Sequence, residues 1–240
     1  MSLAIRSFGG PTVQFTLGGV TFMTDPTFDE PGDYPIGDRK LTRTAPPLLP
    51  RPAAGTIDVV LLSHDQHPDN LDRAGREFSA TVPLVLSTPA AAERISARGL
   101  ATWEVIDLDG GVTVTAVPAQ HGPDGVEHLV GPVTGFVLQG KGLPTVYVSG
   151  DNASLRVVAG IAERFPSIDV AILFGGAART KLVGDANLTL DAAGMVQAAR
   201  ILRAGEVHAA HIDSWAHFTE GPEDVRKAFT AAGLPDPTRP

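Results

Sequence analysis

Unbroken apolar runs, more than alternating ones, set the hydrophobic pattern of this chain. Val59-Val60-Leu61-Leu62 and Val170-Ala171-Ile172-Leu173-Phe174 read as strands covered on both faces. The first lies in a strand predicted over Ile57–Ser63. Val13–Leu17 and Val20–Thr24, joined at Gly18-Gly19, predict a hairpin. Further strands are expected at Leu84–Leu86, Thr102–Ile106, Val112–Val117, Val133–Leu138, Thr145–Val148 and Val207–Ala210, with a turn at Gly110-Gly111. Between them the spacing lengthens to helical periods. One helix ends near Phe78, with Asp69 or Asn70 available to cap its start. A second opens at Thr88-Pro89 and runs to about Arg98. Ser154–Phe165, Leu190–Leu202 with Thr189 as cap, and Pro222–Ala232 complete the set. Asp25–Gly55 shows little periodicity and reads as a long rim or lid loop. The tail Pro235–Pro240 is expected to fray. Strands with helices inserted, twice over, predict an α/β chain of two sheets face to face with helices outside, forming one domain over residues 1–240.

The composition narrows the function. Hydrophobic residues make up 43% and charged residues 19% of 240 residues, enough for a large core and too apolar for disorder. A net charge of −8 disfavours a nucleic-acid or anionic-membrane surface, since either needs a basic face. A small-molecule substrate fits better. No run reaches the length of a membrane span, and the N-terminus lacks a secretion pattern, so the cytoplasm is the expected compartment. There is no cysteine, so any metal must rest on nitrogen and oxygen ligands.

Those ligands recur where strands stop. The strand over Ile57–Ser63 runs into His64-Asp65-Gln66-His67-Pro68-Asp69-Asn70-Leu71-Asp72, where Pro68 breaks any helix. Asp25, His121, Asp151 and His211 each follow another predicted strand. Any one of these is more simply a hydrogen-bonded structural residue or a cap. Several together, with loops from distant segments converging at strand ends, favour a site.

Thr24-Asp25-Pro26, the Ser63–Asp72 motif, Pro118-Ala119-Gln120-His121, Ser149-Gly150-Asp151, and Ala209-Ala210-His211 followed by Trp215-Ala216-His217-Phe218 carry a resemblance. In order and spacing the chain resembles the metallo-β-lactamase fold superfamily of metal-dependent hydrolases, nearest the ascorbate-6-phosphate lactonase-like branch. The resemblance implies a four-layer αββα sandwich of two mixed sheets and one or two divalent ions, zinc first, with manganese or iron as alternatives. It implies His64, His67 and His121 on one ion, Asp69 and His211 on a second, and Asp151 bridging.

The family pattern His-x-His-x-Asp-His is not kept. One extra residue separates His64 from Asp69, leaving Gln66 or His67 in the second histidine's place, and Asn70 replaces the last histidine. Asn70 is a weaker ligand, so the second site is expected to bind less tightly.

By that resemblance the reaction is hydrolysis by a metal-bound hydroxide, with a lactone, an amide or a phosphoester as the scissile group. Asp69 would orient the water or move its proton, and His217 would bond to substrate or pack beneath the site. Asp25 would orient a ligand imidazole or cap the turn at Pro26. Arg179 and Lys181, with Arg39, Lys40 and Arg43 on the long loop, are the candidate substrate cations. His128 and His208 read as structural. The competing function is a non-catalytic metal- or metabolite-binding protein that retains the fold.

Overall fold

A computed structural model describes residues 3–37 and 39–239; the last residue of the tail expected to fray lies outside that range. The chain opens with β1 (Ile5–Gly9), β2 (Thr12–Leu17) and β3 (Val20–Thr24), an antiparallel meander. A two-stranded ribbon follows, β4 (Gly32–Ile36) with β5 (Arg39–Arg43). Then β6 (Val59–Leu61) joins β3 in parallel, and β7 (Leu84–Ser87) and β8 (Arg98–Gly99) extend the sheet, again in parallel. The first sheet therefore runs β1-β2-β3-β6-β7-β8. The second is built from β9 (Val105–Asp107), β10 (Val112–Pro118), β11 (Thr134–Gly140), β12 (Val146–Val148), β13 (Val170–Phe174) and β14 (Glu206–Ala210). Its order is β14-β13-β12-β11-β10-β9, antiparallel up to β12 and parallel beyond it.

Side-chain alternation sorts each strand into two layers. Val13, Phe15, Phe22, Val59 and Leu61 of the first sheet meet Val114, Phe136, Val148, Ile172 and Phe174 of the second in one buried cluster. The intervening residues of β13, Ala171 and Leu173, face outward and pack under α4 (Leu155–Arg164), α5 (Ala192–Leu202) and α6 (Pro222–Ala231). On the other side Met23, Val60 and Leu62 pack with Phe78 of α1 (Arg73–Ser79). These four layers are the αββα sandwich expected. The unbroken apolar runs are now explained: β6 and β13 sit inside parallel segments covered on both faces.

Several local expectations are corrected. The long loop holds the β4–β5 ribbon, whose sequence has no core-directed alternation because the ribbon lies outside both sheets. It is tied instead by backbone bonds from Thr44 to Ser214 and from Ala216 to Thr42. Asp72, not Asp69 or Asn70, caps α1 by accepting from the Gly75 amide at 2.7 Å. Asp191, not Thr189, caps α5; the Thr189 hydroxyl is engaged with the Gly175 carbonyl and the Ala178 amide. The helix opened by Pro89, α2, stops at Ala92 so that the chain can return as β8. A short helix not foreseen, α3, spans Glu127–Val130.

Arg43 is not a substrate cation. Its guanidinium and the Asp72 carboxylate are both fully buried, 3.2 Å apart, with Trp215 stacked 5.7 Å from the guanidinium carbon. Burial pushes the Asp72 carboxyl up to about 6, restrained by amide bonds from Asp29 and Gly75 and by Arg43. Asp72→Ala strands a buried cation and removes a cap, and is expected to cost about 3–5 kcal/mol of stability in urea denaturation. A loss near zero would show that the pair does not hold the ribbon.

Candidate metal centre

Five strands of the two sheets deliver their ends to one place. Asp25 follows β3, His64 follows β6, His121 follows β10, Asp151 follows β12 and His211 follows β14, and all five are buried. Asp25 and His211 take left-handed backbone conformations, φ 26° and 57°, which turn their side chains inward at an energetic cost the surroundings must offset.

Hydrogen bonds fix which ring nitrogen faces the centre. The Ser63 hydroxyl donates to Asp25 Oδ2 at 2.6 Å, so its oxygen accepts from His64 Nδ1 at 2.9 Å. His64 Nε2 is left as a lone pair. His121 Nδ1 donates to the Leu188 carbonyl at 3.0 Å and His211 Nδ1 to the Gly175 carbonyl at 3.3 Å, which turns both Nε2 atoms towards the centre. His67 turns its Nδ1 inward, 2.8 Å from His64 Nε2. Gln66 lies elsewhere: its amide packs on Gly131, where a Cβ would come within 2.5 Å.

The donor atoms of His64, His67 and His121 lie within 4.8 Å of one another, and so do those of Asp69, Asp151 and His211. His121 Nε2 stands 3.7 Å from Asp151 Oδ2, and His211 Nε2 lies 3.3 Å from Asp69 Oδ2 and 3.7 Å from Asp151 Oδ1. His121 Nε2, His211 Nε2, Asp69 Oδ1 and Asp151 Oδ2 are buried without a hydrogen-bond partner. Orphaned donors and acceptors of this kind are costly in an interior, and divalent cations at the two groups would supply the missing partners. The residues fit a metal.

Asn70 departs from that pattern. Its Nδ2 donates to Asp25 Oδ2 and to Asp151 Oδ1, each at 3.0 Å, so its donor end faces the carboxylates. Asp25 reaches His64 only through Ser63, a residue the sequence motif contains but that reading by ligand type passes over. His217 Nε2 donates to Asp69 Oδ2 at 3.0 Å, and its Nδ1 is buried without a partner.

Burial and charge set the protonation of the set. Burial, with help from His67 and His121, holds His64 well below the usual imidazole range. Burial also takes His121 down to about 4, against the pull of Asp151. For His211 burial acts downward but Asp151 and Asp69 outweigh it, raising it to about 9. Asp69 is driven well below the carboxylate range because His217 and His211 overcome its desolvation. Asp25 is pushed up to about 7 by burial, partly countered by bonds from Ser63 and Asn70.

A small cavity of about 50 Å³ opens over the centre, with His67, Asp69, His121 and His217 in its lining. Arg39 and Arg179 also line it. Lys181 and Lys40 do not: Lys181 is exposed beside the mouth, and Lys40 pairs with Asp33 on the outer ribbon. His208 bonds to Glu206 and His128 is exposed on α3.

A model of the beta-lactamase superfamily domain matches residues 21–212, a span that contains Asp25, the His64–Asp72 motif, His121, Asp151 and His211. The chain belongs to the metallo-β-lactamase fold superfamily. Within that superfamily it is similar to a UPF0173 metal-dependent hydrolase of Pelotomaculum thermopropionicum, 29% identical over 185 residues that cover 73% of this chain and 75% of the relative. Its fold is similar to that of a possible metal-dependent hydrolase from Veillonella parvula, at TM-score 0.81 and 18% identity, covering 99% and 98% of the two chains. It is similar also to isothiocyanate hydrolase from Delia radicum gut bacteria, at TM-score 0.80 and 20% identity, covering 97% and 93%. None of the helices among the described residues is long and apolar enough to cross a membrane.

Metal addition is expected to raise the melting temperature, because a cation bound only by the folded chain stabilises it by mass action. His121 keeps its lone pair at pH 6, since burial takes it down to about 4, and burial holds His64 low as well. The shift with zinc is therefore expected to persist at pH 6 in thermal denaturation, and to be largely lost in His121→Ala. An equal shift in that variant would place the ion elsewhere.

Proposed function

We propose that the protein is a hydrolase of a small molecule, dependent on one tightly held divalent ion at His64, His67, His121 and Asp151. The observation that carries this reading is the set of buried, unpartnered nitrogen and oxygen atoms at the floor of a cavity. Zinc suits three imidazoles and a carboxylate, and manganese or iron suit the same nitrogen and oxygen donors. When bound, such an ion supplies a nucleophile from water at neutral pH and polarises the scissile bond.

The chain's own residues do the rest. Asp69 holds the Nε2 hydrogen of His217 and so fixes that ring's tautomer and orientation. His217 Nδ1 is then free to take a proton from the incoming water and return it to the leaving group. The Asp25–Ser63–His64 relay keeps the His64 lone pair aimed at the ion. Asn70 donates to Asp151 Oδ1, where the family pattern has an imidazole, so the second position at Asp69, Asp151 and His211 has His211 as its one nitrogen ligand and binds more weakly. A lactone, an amide or a phosphoester fits this chemistry. An isothiocyanate, the substrate named for one fold neighbour, belongs on the same panel because its central carbon is a similar electrophile.

His64→Ala and His121→Ala are expected to abolish both bound metal and turnover on such a panel; full activity in either would contradict the reading. His217→Ala is expected to lower kcat by about 10²-fold with metal content unchanged. Elemental analysis is expected to give one tightly bound ion per chain, rising to two in Asn70→His. Two equally tight ions in the unaltered protein would overturn the role given to Asn70.

A further inference from the structure

The walls above the centre differ in character from its floor. Ile36 and Leu41 from the β4–β5 ribbon, Leu129 from α3, Leu182 from the loop after β13 and Leu188 close the cavity with aliphatic carbon. Among the described residues four large hydrophobic side chains stand exposed, and Leu129 and Leu182, each 42% exposed, are two of them. They come from separate segments and meet at one mouth. Aliphatic surface left in water at the entrance of a polar centre is surface that a ligand's hydrocarbon can cover.

Two guanidinium groups share that lining. Arg39 donates to the Thr180 hydroxyl and Arg179 to the Asn187 side-chain oxygen, both at 2.8 Å. Both partners are neutral. Lys40, Arg43, Arg94 and Arg156 each have a carboxylate instead, on Asp33, Asp72, Asp65 and Asp124. Among the described residues neither Arg39 nor Arg179 has one. In a chain of net charge −8, two cations beside the site with no carboxylate partner among the described residues make it locally attractive to an anion.

We propose that the substrate is a small amphipathic acid. Its hydrolysable bond lies at the floor, an aliphatic segment of a few carbons lies against Ile36, Leu129 and Leu182, and an anionic group, carboxylate or phosphate, is met by Arg39 and Arg179. The assignment rests on the hydrolase reading for the bond at the floor, but the walls and rim can be tested without turnover.

The test is calorimetric titration of the zinc-loaded protein with 1-hexanesulfonate, ethanesulfonate and 1-hexanol, sulfonate being a poor ligand for the metal. Hexanesulfonate is expected to bind at least about tenfold tighter than either of the others, since one lacks buried methylenes and the other lacks charge. The double variant Arg39→Met, Arg179→Met is expected to erase the advantage over hexanol, and Leu182→Asn to shrink the advantage over ethanesulfonate. Hexyl phosphate binding tenfold tighter than hexanesulfonate assigns the anion to a phosphate; equal binding assigns it to a carboxylate-like monoanion. Equal binding of all three first probes, or wild-type affinities in the double variant, would overturn the proposal. Tight hexanesulfonate binding in a protein that hydrolyses nothing would count against the hydrolase reading alone.

Discussion

Buried donor atoms that have no partner are the constraint on which this molecule turns. His121 Nε2, His211 Nε2, Asp69 Oδ1 and Asp151 Oδ2 lie at the seam of two sheets, shielded from water and without a hydrogen-bond partner. Leaving such atoms unpaired costs on the order of 1–3 kcal/mol each. The structure holds them there with further bonds on their far sides: Leu188 and Gly175 carbonyls on two imidazoles, and a serine and an aspartate behind a third. Those outer bonds make sense as a device for aiming lone pairs at a cation.

The sandwich supplies the rigidity this needs. Parallel strands β6 and β13, covered on both faces, end in the loops that carry His64 and lead to His211's neighbours, so ligands far apart in sequence are set by the same packed core. The ribbon sits outside that core and is anchored by the buried Arg43–Asp72 pair and by Trp215. Through Trp215 it abuts the turn that carries His217, with the two rings 6.3 Å apart. The segment that walls the cavity is therefore packed beside the ring that reaches into it.

Much of this was legible in the sequence, and the reasons for the rest are physical. The buried strands could be read because being covered on both faces demands apolar runs. The site could be suspected because imidazoles and carboxylates followed those strands. Choosing between Gln66 and His67 is beyond the pattern, because one extra residue lies in the loop; in the fold Gln66 packs on Gly131 while His67 turns inward. The ribbon was missed because its hydrogen bonds, not an apolar face, hold it. Arg43 looked like a surface cation because nothing nearby in sequence announces its partner, twenty-nine residues on. Asp69 and Asn70 are good caps by type, yet their side chains are engaged at the centre and Asp72 is left for α1.

Anomalous scattering from crystals of the metal-loaded protein tests the central claim most directly. The account predicts a strong peak about 2.0–2.2 Å from the inward nitrogens of His64, His67 and His121 and from an Asp151 oxygen. A peak bound elsewhere on the chain, or no peak in fully loaded protein, would contradict it.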